Sequence, residues 1–176
     1  FADISYDYAE LQFGATTVDV AAPLDGDAFG PLGHVSFNFY GPFFAFGGGS
    51  LQDFSNDDIE LLNGEAGLGW AKSLGRNASV FVTGSYLYTE INSSILATFD
   101  QDGYGASVGY RAENHSPWEF IASIDYVNVE SGVEFGGGMS LVYDATQRFG
   151  ITGGFSYFDE STNAFLGVRY FFDNQH

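Results

Sequence analysis

The sequence predicts an all-β fold, an antiparallel up-and-down barrel of about ten strands that crosses a membrane as one domain, residues 1–176. Three observations carry this. Apolar and polar side chains alternate along most of the chain, which is the period of a strand and not of a helix. The alternating segments run to about ten residues or more, the length that crosses a bilayer at a tilt. The face opposite the apolar one bears most of the segments' charge and many glycines.

The segments are 3–16, 33–40, 43–51, 62–74, 78–90, 103–113, 118–129, 132–144, 148–158 and 163–173. The first three alternate less cleanly, so counts of eight or twelve also fit. The fourth sets Leu62, Ala66, Leu68 and Trp70 against Asn63, Glu65 and Lys72; the fifth sets Val80, Val82, Tyr86 and Tyr88 against Ser79 and Thr83. The sixth opposes Tyr104, Ala106, Val108 and Tyr110 to Ser107, Arg111 and Glu113, and the seventh opposes Trp118, Phe120, Ala122, Ile124 and Tyr126 to Glu119, Ser123 and Asp125. In the eighth, Val133, Phe135, Met139, Leu141 and Tyr143 alternate with Glu134, Ser140 and Asp144. In the ninth, Phe149, Ile151, Phe155 and Tyr157 alternate with Thr152 and Ser156; the tenth ends on Leu166, Val168, Tyr170 and Phe172 around Arg169. No apolar-face residue is charged. A soluble sandwich would also alternate, but its strands more typically run about five or six residues and two sheets must share the apolar face.

The connections alternate as well. "YGP", "LGRN", "NHSP" and "ATQR" are tight, 17–32, 52–61 and 90–102 are long, and "NVES" and "DEST" fall on the long side. Short turns at one end and longer loops at the other, with both termini at the short-turn end, are the layout of a membrane barrel with an even strand count. Trp70, Tyr110, Trp118, Tyr143, Phe149, Tyr170 and Phe172 then gather at one interface, and Tyr88, Tyr104, Tyr126 and Tyr157 at the other. Two such aromatic girdles are expected of a membrane barrel.

Charge narrows the partners. With 23 acids against 5 bases the net charge is -18, which excludes nucleic acid as a partner and favours cations. There is no cysteine, hence no disulfide or thiolate metal site. No stretch approaches the roughly 20 apolar residues of a spanning helix, and the opening "FADIS" suits a chain whose signal has been removed.

The whole pattern, and the terminal "GVRYFF" above all, resembles bacterial outer-membrane β-barrel proteins; "YDYAELQFG" is faintly similar to first strands of small porin-like members. One departure is that "DNQH" follows the last aromatic, Phe172, where the family usually ends. The resemblance implies an integral place in the outer membrane, among lipid and lipopolysaccharide, and reading of the last strand by the barrel-assembly machinery. It implies no cofactor.

Candidate site residues fall into three groups. Glu65, Asp125 and Glu134 are inward carboxylates expected to line the upper lumen; Glu10 also has no basic partner in this reading. Lys72, Arg111 and Arg169 lie near Glu113, Glu119 and Asp144 at the short-turn end, where buried charge must be paired, and so form a network that narrows the base. Asp53, Asp57, Asp58 and Glu60 in "DFSNDDIE" offer oxygen ligands for a divalent cation, without EF-hand spacing and with no metal site implied outright. Inward glycines such as Gly67, Gly69, Gly105, Gly109, Gly136, Gly138 and Gly154 suggest water-filled space.

These features predict a non-enzymatic narrow channel or vestibule with an acidic mouth that favours cations or small polar solutes. An alternative is an interaction barrel whose acidic loops bind partner proteins or cation-bridged lipopolysaccharide. A third is an outer-membrane enzyme, since His34 and Ser36 share a strand face expected near the mouth, where loop carboxylates could orient the histidine. Outward Gly84, Gly137 and Gly153 would allow close approach of a second copy.

Overall fold

A computed structural model of the chain describes residues 5–18, 26–54, 59–93, 99–114, 117–130, 132–159 and 161–172. The described residues form ten strands: β1 (Tyr8–Val18), β2 (Gly26–Tyr40), β3 (Phe43–Phe54), β4 (Ile59–Ser73), β5 (Ala78–Ser93), β6 (Phe99–Asn114), β7 (Trp118–Val129), β8 (Gly132–Asp144), β9 (Phe149–Phe158) and β10 (Ser161–Phe171). Each pairs antiparallel with its neighbours in sequence, and β1 closes on β10 in unbroken register from Tyr8 opposite Phe171 to Val18 opposite Ser161. Closure leaves no strand edge along the seam, which a bilayer demands because it offers backbone groups no water.

Burial is inverted relative to a soluble domain. Ile124 is 73% exposed and Leu166 66%, while Arg111 and Glu119 are each 1% exposed and are among the largest fully buried side chains. Such a surface is compatible only with a hydrocarbon solvent around the belt, since soluble monomers rarely expose apolar patches beyond a few hundred Å². Aromatic rings rim the belt at the short-turn end, where Trp118 meets Tyr143 at 4.9 Å between centroids and Phe149 meets Tyr170 at 5.1 Å. At the other end Tyr86 meets Tyr104 at 6.0 Å and Tyr126 meets Phe135 at 5.4 Å.

Three of the expected loops are shorter than their sequence suggests. β2 begins at Gly26 and β3 continues to Phe54; β4 begins at Ile59, β5 reaches Ser93 and β6 begins at Phe99. The missed residues are strand ends that rise past the belt, where the pattern inverts: Ile59, Leu61 and Ile91 turn inward while Asp53, Glu60 and Asp100 face out, so the belt's apolar-out alternation stops. At the opposite end β1 starts at Tyr8 rather than at residue 3. The "YGP" turn holds Gly41 at φ 53°, a left-handed conformation that suits glycine.

Five of the seven inward glycines mark seats for aromatic rings and not open water space, Gly105 and Gly138 being the other two. Phe44, Phe46, Phe81, Phe158 and Phe165 each stand directly across from a glycine on the next strand: Gly69, Gly67, Gly109, Gly136 and Gly154 respectively. A Cβ at Gly69 or Gly109 would lie 2.1 Å from the facing ring. The glycines therefore seat aromatic rings flat against the barrel wall, which fills part of a lumen that ten strands would otherwise leave open.

Candidate functional site: a closed base beneath a vestibule

The base of the lumen is built first from the segment that precedes β1. Residues 5–7 run inside the barrel rather than pairing as strand: the Arg111 guanidinium donates to the Ser5 carbonyl at 2.6 Å, and Tyr6 is 6% exposed. The Tyr6 ring stacks on Phe44 at 4.3 Å, meets Phe81 edge-on at 6.3 Å, and its hydroxyl lies 3.1 Å from the Ser79 Oγ. Asp7 fixes the segment to the wall by accepting from the Asn38 backbone N–H at 2.8 Å and the Asn38 side-chain amide at 2.7 Å. Its carbonyl accepts from the Phe172 N–H at 3.0 Å, which ties this segment to the residue that follows β10.

Above this segment a chain of ion pairs crosses the lumen. Arg111 on β6 pairs with Glu119 on β7 at 2.6 Å; Glu119 pairs in turn with Arg169 on β10 at 2.7 Å; Arg169 also pairs with Glu10 on β1. Glu119 uses both carboxylate oxygens, one for each arginine. The Tyr8 ring lies under both guanidiniums, 4.1 Å from Arg169 and 5.9 Å from Arg111, so the cations also face an aromatic quadrupole. The Arg169 to Glu119 bond joins strands three places apart around the barrel, so it spans the opening.

Over this floor lie two adjoining cavities that share His34 and Glu65. The lower, of about 190 Å³, is lined by Glu65, Asp125, Ser36, Phe44, Phe81 and the floor groups Tyr6 and Arg111. The upper, of about 580 Å³, is lined by Glu65, Glu134, Gln52, Asn163 and apolar groups such as Leu61, Leu87, Val127 and Val129. Ser123 donates to Asp125 at 3.0 Å.

The placements depart from the sequence reading at several points. Lys72 is corrected: it shares the outward parity of Leu68 and Trp70, stands opposite outward Val80 and is exposed, so it lies outside the lumen network. Arg111, Glu119 and Arg169 do meet, while Glu113 stands opposite Glu119 and Asp144 opposite Gly150 at the same end. Glu10 is also corrected, since it is the partner of Arg169. Asp125 lines the lower cavity, Glu134 the upper, and Glu65 both. The proposed cation loop does not form as a loop across its ends: Asp53 and Glu60 lie on β3 and β4, directly opposite each other on the outer wall, and Asp57 and Asp58 lie outside the described residues. Among the described residues no group of three or more His, Asp or Glu is placed to hold a metal.

His34 and Ser36 face inward, but not at the mouth. Ser36 stands opposite Tyr8 on one side and Phe46 on the other, in the short-turn half, and His34 lies between the rings of Tyr8 and Phe46 at 5.6 and 6.0 Å. The carboxylate across from His34 is Glu10, which is committed to Arg169 and accepts from Gln12 at 2.6 Å. Of the residues that close the base, the sequence reading gives Glu10 no partner and assigns Tyr6 and Tyr8 no role, although the parity of Tyr8 and Glu10, with Leu11 and Phe13 on the other face, is a usable sign.

No family model matches the chain, and no curated protein matches it. Solved structures do. The KdgM porin is similar at 12% identity and TM-score 0.50, over 93% of this chain and 99% of that one. The translocator domain of the autotransporter NalP from Neisseria meningitidis follows at 11% and 0.50, over 94% and 87%, and the beta domain of the Bordetella autotransporter BrkA at 10% and 0.51, over 97% and 100%. The fold is that of the outer-membrane β-barrels.

Proposed function

We propose that this chain is an integral barrel of the Gram-negative outer membrane that works without catalysis, as a narrow, normally closed channel whose outer half is a cation-attracting vestibule. The observation that carries this reading is the Arg111–Glu119–Arg169–Glu10 chain spanning the lumen beneath a cavity lined by Glu65 and Asp125. The carboxylates in a confined, low-dielectric cleft raise local cation concentration. The arginines below, neutralised by Glu119 and Glu10 and covered by Tyr6, set the barrier. Passage then requires residues 5–7 to leave the base, and small polar solutes follow the cations. The apolar belt, the aromatic girdles and the likeness to solved outer-membrane barrels support the location.

The test is conductance of the refolded barrel in a planar bilayer under a salt gradient, with Glu65→Gln and Asp125→Asn alongside. Rare, small, cation-selective steps in the wild type, with selectivity weakened in both variants, are expected. Silence from verified folded barrel, both in the wild type and after removal of residues 1–7, would sink the channel. The acidic outer wall would then carry the second reading. Asp53, Glu60, Glu90 and Asp100 face outward on β3 to β6, opposed in the pairs Asp53–Glu60 and Glu90–Asp100, where divalent cations could bridge them to lipopolysaccharide phosphates.

A further inference from the structure

We propose that the two adjoining cavities form one binding site for a small organic ammonium that carries an apolar body and an oxygen acceptor. This rests on the vestibule reading and names the class of solute it selects. The lower cavity supplies the head site. Glu65 on β4 and Asp125 on β7 enter it from different walls, above rings of Tyr6, Phe44 and Phe81. Two carboxylates in a cavity walled by ring carbon suit an alkylammonium better than an inorganic cation, because the walls accept the carbons that adjoin the charge, which a hydrated metal ion does not offer.

Arg111 reaches the same cavity, yet its charge is answered by Glu119 at 2.6 Å and its other arm is held by the Ser5 carbonyl, so the cavity's uncommitted field comes from the acids. Ser36, 1% exposed, has an Oγ with no hydrogen-bond partner and lines this cavity; it can accept an ammonium proton.

The upper cavity fits the rest of the ligand. Its wall carries Leu61, Leu87, Val127 and Val129, an apolar strip that a hydrated metal ion has no use for. Beside the strip stands Gln52, 2% exposed, whose Oε1 accepts from Thr16 at 3.1 Å while its Nε2 has no partner. A buried amide donor left unpaired costs about 1–3 kcal/mol in general, so an unpaired donor on a residue that lines a cavity marks a place where a ligand oxygen would be favoured.

Tyramine is the probe, having an ammonium, a ring and a hydroxyl. Calorimetric titration into the folded full chain in detergent needs no conduction. Saturable one-to-one binding is expected, weakened by about tenfold or more in each of Glu65→Gln and Asp125→Asn and by a few-fold in Gln52→Leu. Methylammonium, which lacks the body, and 4-ethylphenol, which lacks the charge, should each bind at least about tenfold more weakly than tyramine. Heat-modifiable gel migration checks that each variant is folded. Equal binding of 4-ethylphenol, binding indifferent to both carboxylate changes, or no saturable heat from folded wild type would overturn the proposal. A silent bilayer with tyramine binding intact removes the channel and leaves the site; selective conductance without binding does the reverse.

Discussion

Glu119 binds Arg111 and Arg169 at once, at 2.6 and 2.7 Å, from a position that is 1% exposed. One carboxylate thus joins three strands across the lumen. Replacing Glu119 by Gln removes the charge and leaves two guanidiniums buried against Tyr8. Breaking one partner of a buried pair costs about 3–5 kcal/mol, because the remaining charge stays desolvated. Urea unfolding of the refolded barrel should show a loss of that order for Glu119→Gln. A loss below about 0.5 kcal/mol, the scatter of surface changes, would mean the chain of ion pairs is water-filled and the base is open.

Residues 5–7 should act as the removable part of the floor. Tyr6 stacks on Phe44, and its ring lies 5.0 Å from the Arg111 guanidinium. A chain lacking residues 1–7 is expected to fold, since every β1 to β10 pairing begins at Tyr8, and to conduct more often and in larger steps than the full chain. Unchanged single-channel traces would place the barrier in the ion pairs alone.

The ring-on-glycine pairs make a coupled prediction. Valine at Gly109 would put its Cβ 2.1 Å from the Phe81 ring, and overpacking of this kind costs about 1–3 kcal/mol. Phe81→Ala should rescue Gly109→Val, so that the double variant is more stable than the sum of the singles predicts. Additive losses in a double-mutant cycle would show that the ring moves aside freely.

How much of this was legible follows from what a bilayer writes into a sequence. Inside the belt, hydrocarbon forces one face to be apolar, so Arg111, Glu119 and Arg169 could be put on the inner face and at one end from parity alone. Above the belt the outer face turns polar and the apolar residues turn inward, which is why Asp53, Glu60 and Asp100 read as loop although they are strand. Lys72 departs from the expectation because its charge points to the lumen while its parity points outward. Parity outranks charge at a strand end, where a lysine stem can lie along the wall with its ammonium in water. The floor at Tyr6 required knowing that the chain turns inward before β1, and no alternation records a segment that is not a strand.

Lys72 therefore provides a control. Lys72→Gln should change stability by less than about 0.5 kcal/mol and leave conductance unaltered, as for other exposed substitutions. A loss comparable to that of an Arg111 variant, in the same urea titration, would return it to the network.

The outer wall offers the last prediction, and its sign is unusual for removal of a charge. Asp53 and Glu60 are directly opposed across β3 and β4 and both face outward, so two carboxylates sit at cross-strand distance with no inward lumen group between them. Like charges so placed destabilise a sheet, and cross-strand pairs are worth about 0.2–1 kcal/mol. Asp53→Asn should consequently stabilise the barrel by an amount of that size in low salt. The gain should shrink as ionic strength rises to about 1 M, where the screening length falls to about 3 Å. Millimolar magnesium should erase it too if a divalent cation spans the pair in the wild type, because the ion stabilises only the chain that keeps both carboxylates. Unfolding midpoints of wild type and Asp53→Asn in low salt, high salt and magnesium separate the cases. A destabilised Asp53→Asn in low salt would mean the two carboxylates are already bridged or share a proton, and the repulsion assigned to them would be wrong.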